Sequence, residues 1–357
     1  MLAGILTFIN TLNYGAELQA YALSKTLSNL GYPTRIINYE CAAVKERETH
    51  PLPRIIDIKN PRHFAGLLRR YFAFFKRNKN FKRFNKKYIS LGDVIHNPQE
   101  ILNQYPRIIV GSDQVWCPEI TGYDLTFILP GHRQSNQKII SYAASFGDKP
   151  FPVKYKSEFS KAISQFNALS VREENGINIL KSWNIDNAVV CVDPTLLLDQ
   201  AQWNEIARPV KTPKCYVLAY VVSEREKTLH YAKQAARKLN AKLLYLNAYD
   251  VRPIFGAKNV NSCAPDEFLS LIKNAKLVVT SSFHGLCFSI LFNKQFRYAL
   301  SAKKEKSRLY NLASQLGLEC YDITNTNLND YINYSKVNLK ISALKADSLN
   351  YLRMSLK

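Results

Sequence analysis

The sequence has no Cys-x-x-Cys pair, no cysteine–histidine cluster and no apolar run of 18 residues. The first two absences leave no ligand set for a structural zinc. The seven scattered cysteines, several in apolar runs (Cys191, Cys215, Cys287), therefore read as reduced thiols of a cytosolic protein. The third absence argues against a membrane-crossing helix, and residues 2–9 follow Met1 without a basic leader, so no signal peptide is expected. There is no GxGxxG fingerprint, no repeat of fixed period and no low-complexity tract. Acidic residues are also scarce: 28 against 49 Lys and Arg, a net charge of +21. Such a field attracts nucleic acid, anionic membrane or phosphorylated metabolites without choosing among them. The scarcity is most acute at 61–87, where ten cations and seven aromatic residues stand with no acid.

What is present suits a soluble α/β protein. A length of 357 residues favours two domains, and 46% hydrophobic with 22% charged residues is ordinary for globular chains. Residues 2–9 read as a strand, 10–16 as a polar loop, 17–30 as an amphipathic helix stopped by Gly31 and Pro33, and 34–39 as a second strand. Residues 43–63 read as loop and 61–87 as one or two helices. Strands are expected at 107–110, 138–144, 168–171 and 188–192, and helices at 153–166 and 176–183. After a boundary near 200 the alternation resumes. Strands are expected at 215–222, 242–247, 277–279 and 295–300, with helices at 224–239, 266–275, 306–316 and 337–356. Strand–helix alternation of this kind builds parallel sheets covered on both faces. The division is 1–200, 201–335 and a last helix, 336–357, packing back on the first domain.

The most informative stretch is 275–291. Leu277-Val278-Val279 is too apolar for a strand with one wet face, and 286–292 is an apolar helical run. Between them Thr280, Ser281, Ser282, Phe283, His284 and Gly285 form a strand-to-helix turn, at the sheet edge where α/β proteins bind ligands. Unpaired N–H groups at the helix start favour a phosphate or carboxylate. A capping turn whose histidine bonds only to backbone remains the competing reading. Asp113 likewise reads as a hydroxyl binder or as a cap on the helix after it. Arg172 reads as a bidentate anion holder or as a partner of Glu173 and Glu174. Asn13 and Gly15 could simply shape a turn.

Together these motifs resemble the polysaccharide pyruvyl transferases. The blocks are 13–16 (Asn-Tyr-Gly-Ala) with 18–23, 111–116 (Gly-Ser-Asp-Gln-Val-Trp), 170–173 (Ser-Val-Arg-Glu), 192–195 (Val-Asp-Pro-Thr) and 280–285 (Thr-Ser-Ser-Phe-His-Gly). They follow the family's order over roughly residues 10–320. The resemblance implies two Rossmann-like domains with parallel sheets facing across a cleft, the GT-B arrangement. It also implies transfer of a pyruvyl group from phosphoenolpyruvate to two hydroxyls of a sugar, forming a ketal. His284 is then the general acid, and Asp113 binds or deprotonates the acceptor hydroxyl. Arg172, Ser281, Ser282, Gly285, Asn13, Gly15, Gln19, Ser112 and Gln114 bind substrate. No metal or cofactor is implied.

Family members often carry Arg-Leu-His where this chain has Ser282-Phe283-His284. Arg297, Arg308, Lys303, Lys304 and Lys306 are the candidate replacements for that cation. The expected partners are phosphoenolpyruvate and a sugar or lipid-linked glycan acceptor, in the cytoplasm. Two readings of 61–87 stay open: a helix packed on the first domain with a solvated basic face, or a surface that touches the inner face of an anionic membrane or the diphosphate of a lipid-linked glycan. A nucleotide-sugar glycosyltransferase on the same architecture is the nearest alternative. A non-catalytic nucleic-acid-binding protein is the other, although no recognised module accompanies the charge and no specific nucleic acid is expected.

Overall fold

A computed structural model of the chain describes residues 2–48, 61–247, 254–301 and 308–357. The first half is built on a parallel sheet of β1 (Ala3–Leu6), β2 (Thr34–Tyr39), β3 (Leu91–Ile95), β4 (Arg107–Val110) and β5 (Lys138–Ser141), ordered β3-β2-β1-β4-β5. Beyond β5, bridges at Ile140–Ala168 and Ala144–Val171 lead to a parallel pair, β6 (Leu169–Val171) and β7 (Ala188–Val190). The second half repeats the pattern with β8 (Tyr216–Val221), β9 (Lys242–Asn247), β10 (Ala257–Asn259), β11 (Leu277–Thr280) and β12 (Phe296–Tyr298), ordered β10-β9-β8-β11-β12. Every residue of β8 and β11 is buried, as expected for strands covered on both faces.

In each sheet the strand order reverses at its first strand. The crevices beyond β1/β4 and β8/β11 are the topological switch points, where ligands bind in open α/β sheets. The helix α1 (Tyr14–Asn29) leaves the first crevice, and α11 (Phe283–Leu291) leaves the second.

Two expectations need correction. Within 43–63, residues Ala42–Glu48 form a helix, α2, while 49–60 lie outside the described residues. Its run of Ala, Lys, Glu and Arg consists largely of strong helix formers, and Ala43 and Val44 pack against the core. The basic-aromatic block is a single 28-residue helix, α3 (Pro61–Tyr88). Its cations do not all face solvent. Phe74, Arg77, Phe81 and Phe84 are buried on one face, at helical spacing.

Arg77, 1% exposed, lies 4.6 Å over the Tyr14 ring and donates to the carbonyls of Leu12 and Asn247. Farther along, Asn80 donates to Ser262 O at 2.6 Å and Arg83 pairs with Asp266 at 2.8 Å. The helix thus straps the first half to the second. Several short elements have no counterpart in the sequence reading, among them β3, α4 (Pro98–Gln104) and β10; β3 is mostly exposed and has no apolar alternation.

The linker between the halves carries a short helix, α8 (Gln200–Ile206), started by a capping box on Asp199. The last helix, α13 (Tyr334–Leu356), lies against the first half: Ser348 Oγ accepts from Val192 N at 3.0 Å, and Tyr351 donates to Ser141 O at 2.8 Å. One apolar cluster runs through both halves, from Ala3 and Leu18 past Tyr14, Phe81 and Trp203 to Phe268 and Phe288.

Replacing Arg77 by Ala should therefore behave as a core mutation. Two carbonyls lose a charged donor and two rings lose a stacked guanidinium, so a loss of about 2 kcal/mol or more is expected in urea unfolding. The neighbouring Lys76→Ala, on the exposed side, should change stability by less than about 0.5 kcal/mol.

Candidate functional site

Five strand ends converge between the halves. The loop after β1 brings Asn13, which caps α1 by accepting from Gly15 N at 2.9 Å. The loop after β4 brings Ser112, Asp113 and Gln114. The turn after β6 brings Arg172 and Glu173, and the end of β7 brings Asp193. From the second half, the turn after β11 brings Ser281 to His284.

Asp193 is the common partner of this convergence. It is 1% exposed, and its Oδ2 accepts from Arg172 Nη1 at 2.9 Å and Ser112 Oγ at 3.3 Å. The same oxygen lies 3.5 Å from His284 Nε2. Its Oδ1 accepts from Thr195 N at 3.0 Å and Thr195 Oγ1 at 2.8 Å. Burial alone would raise its pKa. The His284 imidazole, the Arg172 guanidinium and the Thr195 N–H outweigh burial and hold the carboxyl well below the usual carboxylate range.

Around Arg172 the pattern continues. Its side chain is 1% exposed, with Asp113 Oδ1 at 3.5 Å and Glu173 Oε2 at 3.7 Å in addition to Asp193. Burial opposes its charge, but Asp113, Asp193 and Glu173 together raise its pKa above the ordinary arginine value. Glu173 accepts from Ser145 Oγ at 2.7 Å, yet burial pushes its carboxyl up despite Arg172.

His284 sits in the first turn of α11 and is 6% exposed. With Nε2 turned to Asp193, the other side of the ring lies against Gly15 at the start of α1. A methyl group on Gly15 would collide with His284 Nδ1, Cγ and Cε1. Glycine is needed here for close approach, not for an unusual backbone angle. The N-termini of α1 and α11 thus meet at one imidazole, and their partial positive charges favour an anion beside it. Asn13 and Ala16, on either side of Gly15 in the chain, line a cavity of about 360 Å³ together with Phe8, Thr11, Val44, Arg47, Asp113, Gln114 and Ile120; the imidazole itself does not line it.

The structure brings His284, Asp113, Arg172, Ser112, Asn13, Gly15 and Gln114 together, as seven of the eleven expected site residues. The other four serve the scaffold. Ser281 Oγ accepts from Val222 N and Ser223 N at 3.0 Å each and donates to Ser223 O at 2.6 Å. Ser282 Oγ caps α11 by accepting from Gly285 N at 3.3 Å. Gly285 lets α11 approach β11, since a methyl group there would strike Thr280 Oγ1 and come 2.9 Å from Tyr220 Cδ1. Gln19 is fully buried and donates to Thr7 Oγ1 at 2.8 Å and Ala16 O at 3.0 Å. Asp113 is not the cap of the next helix. That helix, α5 (Pro118–Thr121), starts at Cys117, while Asp113 Oδ1 accepts from Gln114 N at 2.9 Å.

Sequence reasoning gave no role to Asp193 or Phe283, and offered Glu173 only as an ion-pair partner of Arg172, a pairing present at 3.7 Å. The available signal for Asp193 was its place between Val192 and Pro194 at a strand end, a pattern too common to single out. Arg297 does not supply the missing cation: it is 1% exposed and donates to the carbonyls of Phe296, Asn327 and Asp330, at 2.7 Å each. Lys303, Lys304 and Lys306 lie outside the described residues, and Arg308 is described.

Gly15→Ala tests the contact between the helix starts. The expected outcome is a loss of about 1–3 kcal/mol in urea unfolding, with a displaced His284 Cε1–H resonance in NMR spectra. Gly66→Ala, at a helix position with open space around it, should leave both nearly unchanged.

Comparison with known proteins agrees with this architecture. A putative UDP-N-acetylglucosamine 2-epimerase from Listeria monocytogenes matches at a TM-score of 0.51 and 8% identity, over 99% of this chain and 90% of that one. The Methanocaldococcus jannaschii UDP-GlcNAc 2-epimerase, solved with UDP-GlcNAc and UDP, matches at 0.46 and 10% identity, over 97% and 99%. At 8% identity the likeness to the Listeria protein shows the fold alone, which is α/β with two Rossmann-like domains of the GT-B type. No curated protein matches the sequence. The family model for polysaccharide pyruvyl transferases matches residues 13–301, spanning every motif assembled at the site, and the chain belongs to that family.

Proposed function

We propose that the protein moves a pyruvyl group from phosphoenolpyruvate to two hydroxyls of a sugar in a cell-surface glycan precursor, as a ketal. The observation that carries this reading is His284, held between Asp193 and the start of α1, where Asn13 and Ala16 line a cavity together with Asp113 and Gln114. The enol methylene of phosphoenolpyruvate must gain a proton before the adjacent carbon can take a nucleophile. A protonated imidazole is suited to that step near neutral pH.

His284 gives the proton to the methylene carbon, which becomes the methyl group. The first sugar hydroxyl then bonds to the neighbouring carbon. The second hydroxyl bonds to the same carbon as the C–O bond to phosphate breaks. Of the two hydroxyl protons released, one restores His284 and the other leaves with inorganic phosphate. Asp113 orients the first hydroxyl and accepts its hydrogen bond. Phe8, Val44 and Ile120 offer an apolar floor to a sugar ring.

Phosphate release from phosphoenolpyruvate in the presence of cell-wall sugar precursors is the direct test, with nucleotide sugars as the comparison arm. Ketal formation with phosphoenolpyruvate supports the reading. Glycosyl transfer from a nucleotide sugar, with no reaction of phosphoenolpyruvate, overturns it in favour of a glycosyltransferase. His284→Gln should lower kcat by roughly 10²-fold with the fold intact, and wild-type turnover would remove the acid from His284.

We place the enzyme at the cytoplasmic face of an anionic membrane, docked through α3. Among the described residues no helix is long and apolar enough to cross a membrane. On α3, Phe72 and Phe75 are 63% and 61% exposed, and Lys79, Lys82 and Lys86 continue the same exposed stripe. Two aromatic anchors followed by cations suit a lipid headgroup layer, where each cation contributes on the order of 1 kcal/mol. Buried Arg77 takes no part. The expected result is sedimentation with vesicles containing anionic lipid, lost in Phe72→Ser/Phe75→Ser and weakened in Lys79→Gln/Lys82→Gln. Absence of wild-type binding would leave α3 as a strap alone.

A further inference from the structure

Arg172 has little charge left to offer a substrate. Asp193, Asp113 and Glu173 surround its guanidinium at 2.9, 3.5 and 3.7 Å. Even with burial holding Glu173 above its usual pKa, Asp113 and Asp193 already occupy the guanidinium, and little of its charge or hydrogen-bonding capacity is left for another anion. The face of Arg172 is covered as well, with Cζ 4.7 Å from the Phe283 ring.

A second guanidinium approaches that same ring. Arg308, the first residue of α12 (Arg308–Leu316), has Cζ 5.9 Å from the Phe283 centroid. Its Nε has no hydrogen-bond partner among the described residues. The acid nearest it is Asp148 at 3.6 Å, whose side chain is 43% exposed. A small cavity of about 60 Å³ lies among Arg308, Arg172, Asp193 and Phe283, and Asn311 and Gln315 also line it. Residues 308, 311 and 315 share one face of α12, so a guanidinium and two amides point at the same space. That space equals about two water molecules in liquid, enough for the oxygen edge of a carboxylate or phosphate.

We propose that Arg308 binds the anionic group of the donor substrate, with Asn311 and Gln315 as neutral donors beside it. Arg172 is then a positioning residue that fixes Asp113 and Asp193. The inference deepens the pyruvyl-transfer reading and rests on it for the identity of the donor. The ligand displaces Asp148, a water-exposed partner held at ion-pair distance without a hydrogen bond from Nε.

Binding, not turnover, tests this. Calorimetric titration of the full chain with phosphoenolpyruvate, and separately with inorganic phosphate, is compared for wild type, Arg308→Gln and Arg308→Lys, with thermal midpoints as a check on folding. Arg308→Gln should weaken binding of phosphoenolpyruvate by about tenfold or more, the loss expected for a charge-assisted contact. Arg308→Lys should recover part of it, since charge remains while the fork is lost. If wild type binds phosphate but not phosphoenolpyruvate, and Arg308→Gln loses the phosphate, the anion site stands and the donor reading fails. Wild-type affinity for both probes in Arg308→Gln, or no binding of either by wild type, overturns the proposal. Should Arg308→Gln lower the midpoint, Arg308→Lys decides alone: several-fold weaker binding supports the site, and unchanged binding removes it.

Discussion

The site depends on one buried carboxylate. Asp193 belongs to the first half, yet its Oδ2 faces an arginine and a serine of that half and a histidine of the other. A buried charge of this kind is costly unless its partners surround it, and removing one partner leaves the others exposed to that cost. The position of His284 is consequently tied to the relative placement of the two sheets. Neither half holds a complete constellation: the imidazole comes from α11, while its acid and the glycine it packs against come from β7 and α1.

The fold was largely legible because the strands are buried on both faces. Runs such as Leu277-Val278-Val279, and the six buried residues of β8, have no other economical reading, and their alternation with helices sets the parallel sheets. Less was visible where burial is partial. The strand β3 is exposed over most of its length and was invisible as a strand. The helix α2 was hidden by the charged, proline-bearing region in which it lies.

Within the site, sequence showed which residues gather but not what they do for one another. Ser281, Ser282 and His284 stand side by side in the chain and looked equally chemical. Three-dimensional hydrogen bonding assigns the two serines to the backbone of β8 and to the cap of α11, leaving the imidazole for other work. Arg172 was legible as a strand-end cation, but the carboxylates that occupy it lie 59 and 21 residues away and beside it. Charge accounting of that sort needs distances. The same holds for α3, whose spacing announces an amphipathic helix, although a buried cation at Arg77 contradicts any simple division into an apolar and a basic face.

The continuous apolar cluster through the two halves bears on how the molecule comes apart. Proteins made of two separately cored domains melt in steps, each domain with its own transition. Here Tyr14 of α1 stacks on Phe268 at 4.8 Å, and Trp203 meets Phe288 at 5.0 Å, so the boundary between the sheets is itself interior. Dissecting the gene at the linker would give fragments with sticky, aromatic faces rather than two soluble modules. An apolar seam of this kind couples the unfolding of one sheet to the other, while each half also holds an apolar cluster of its own.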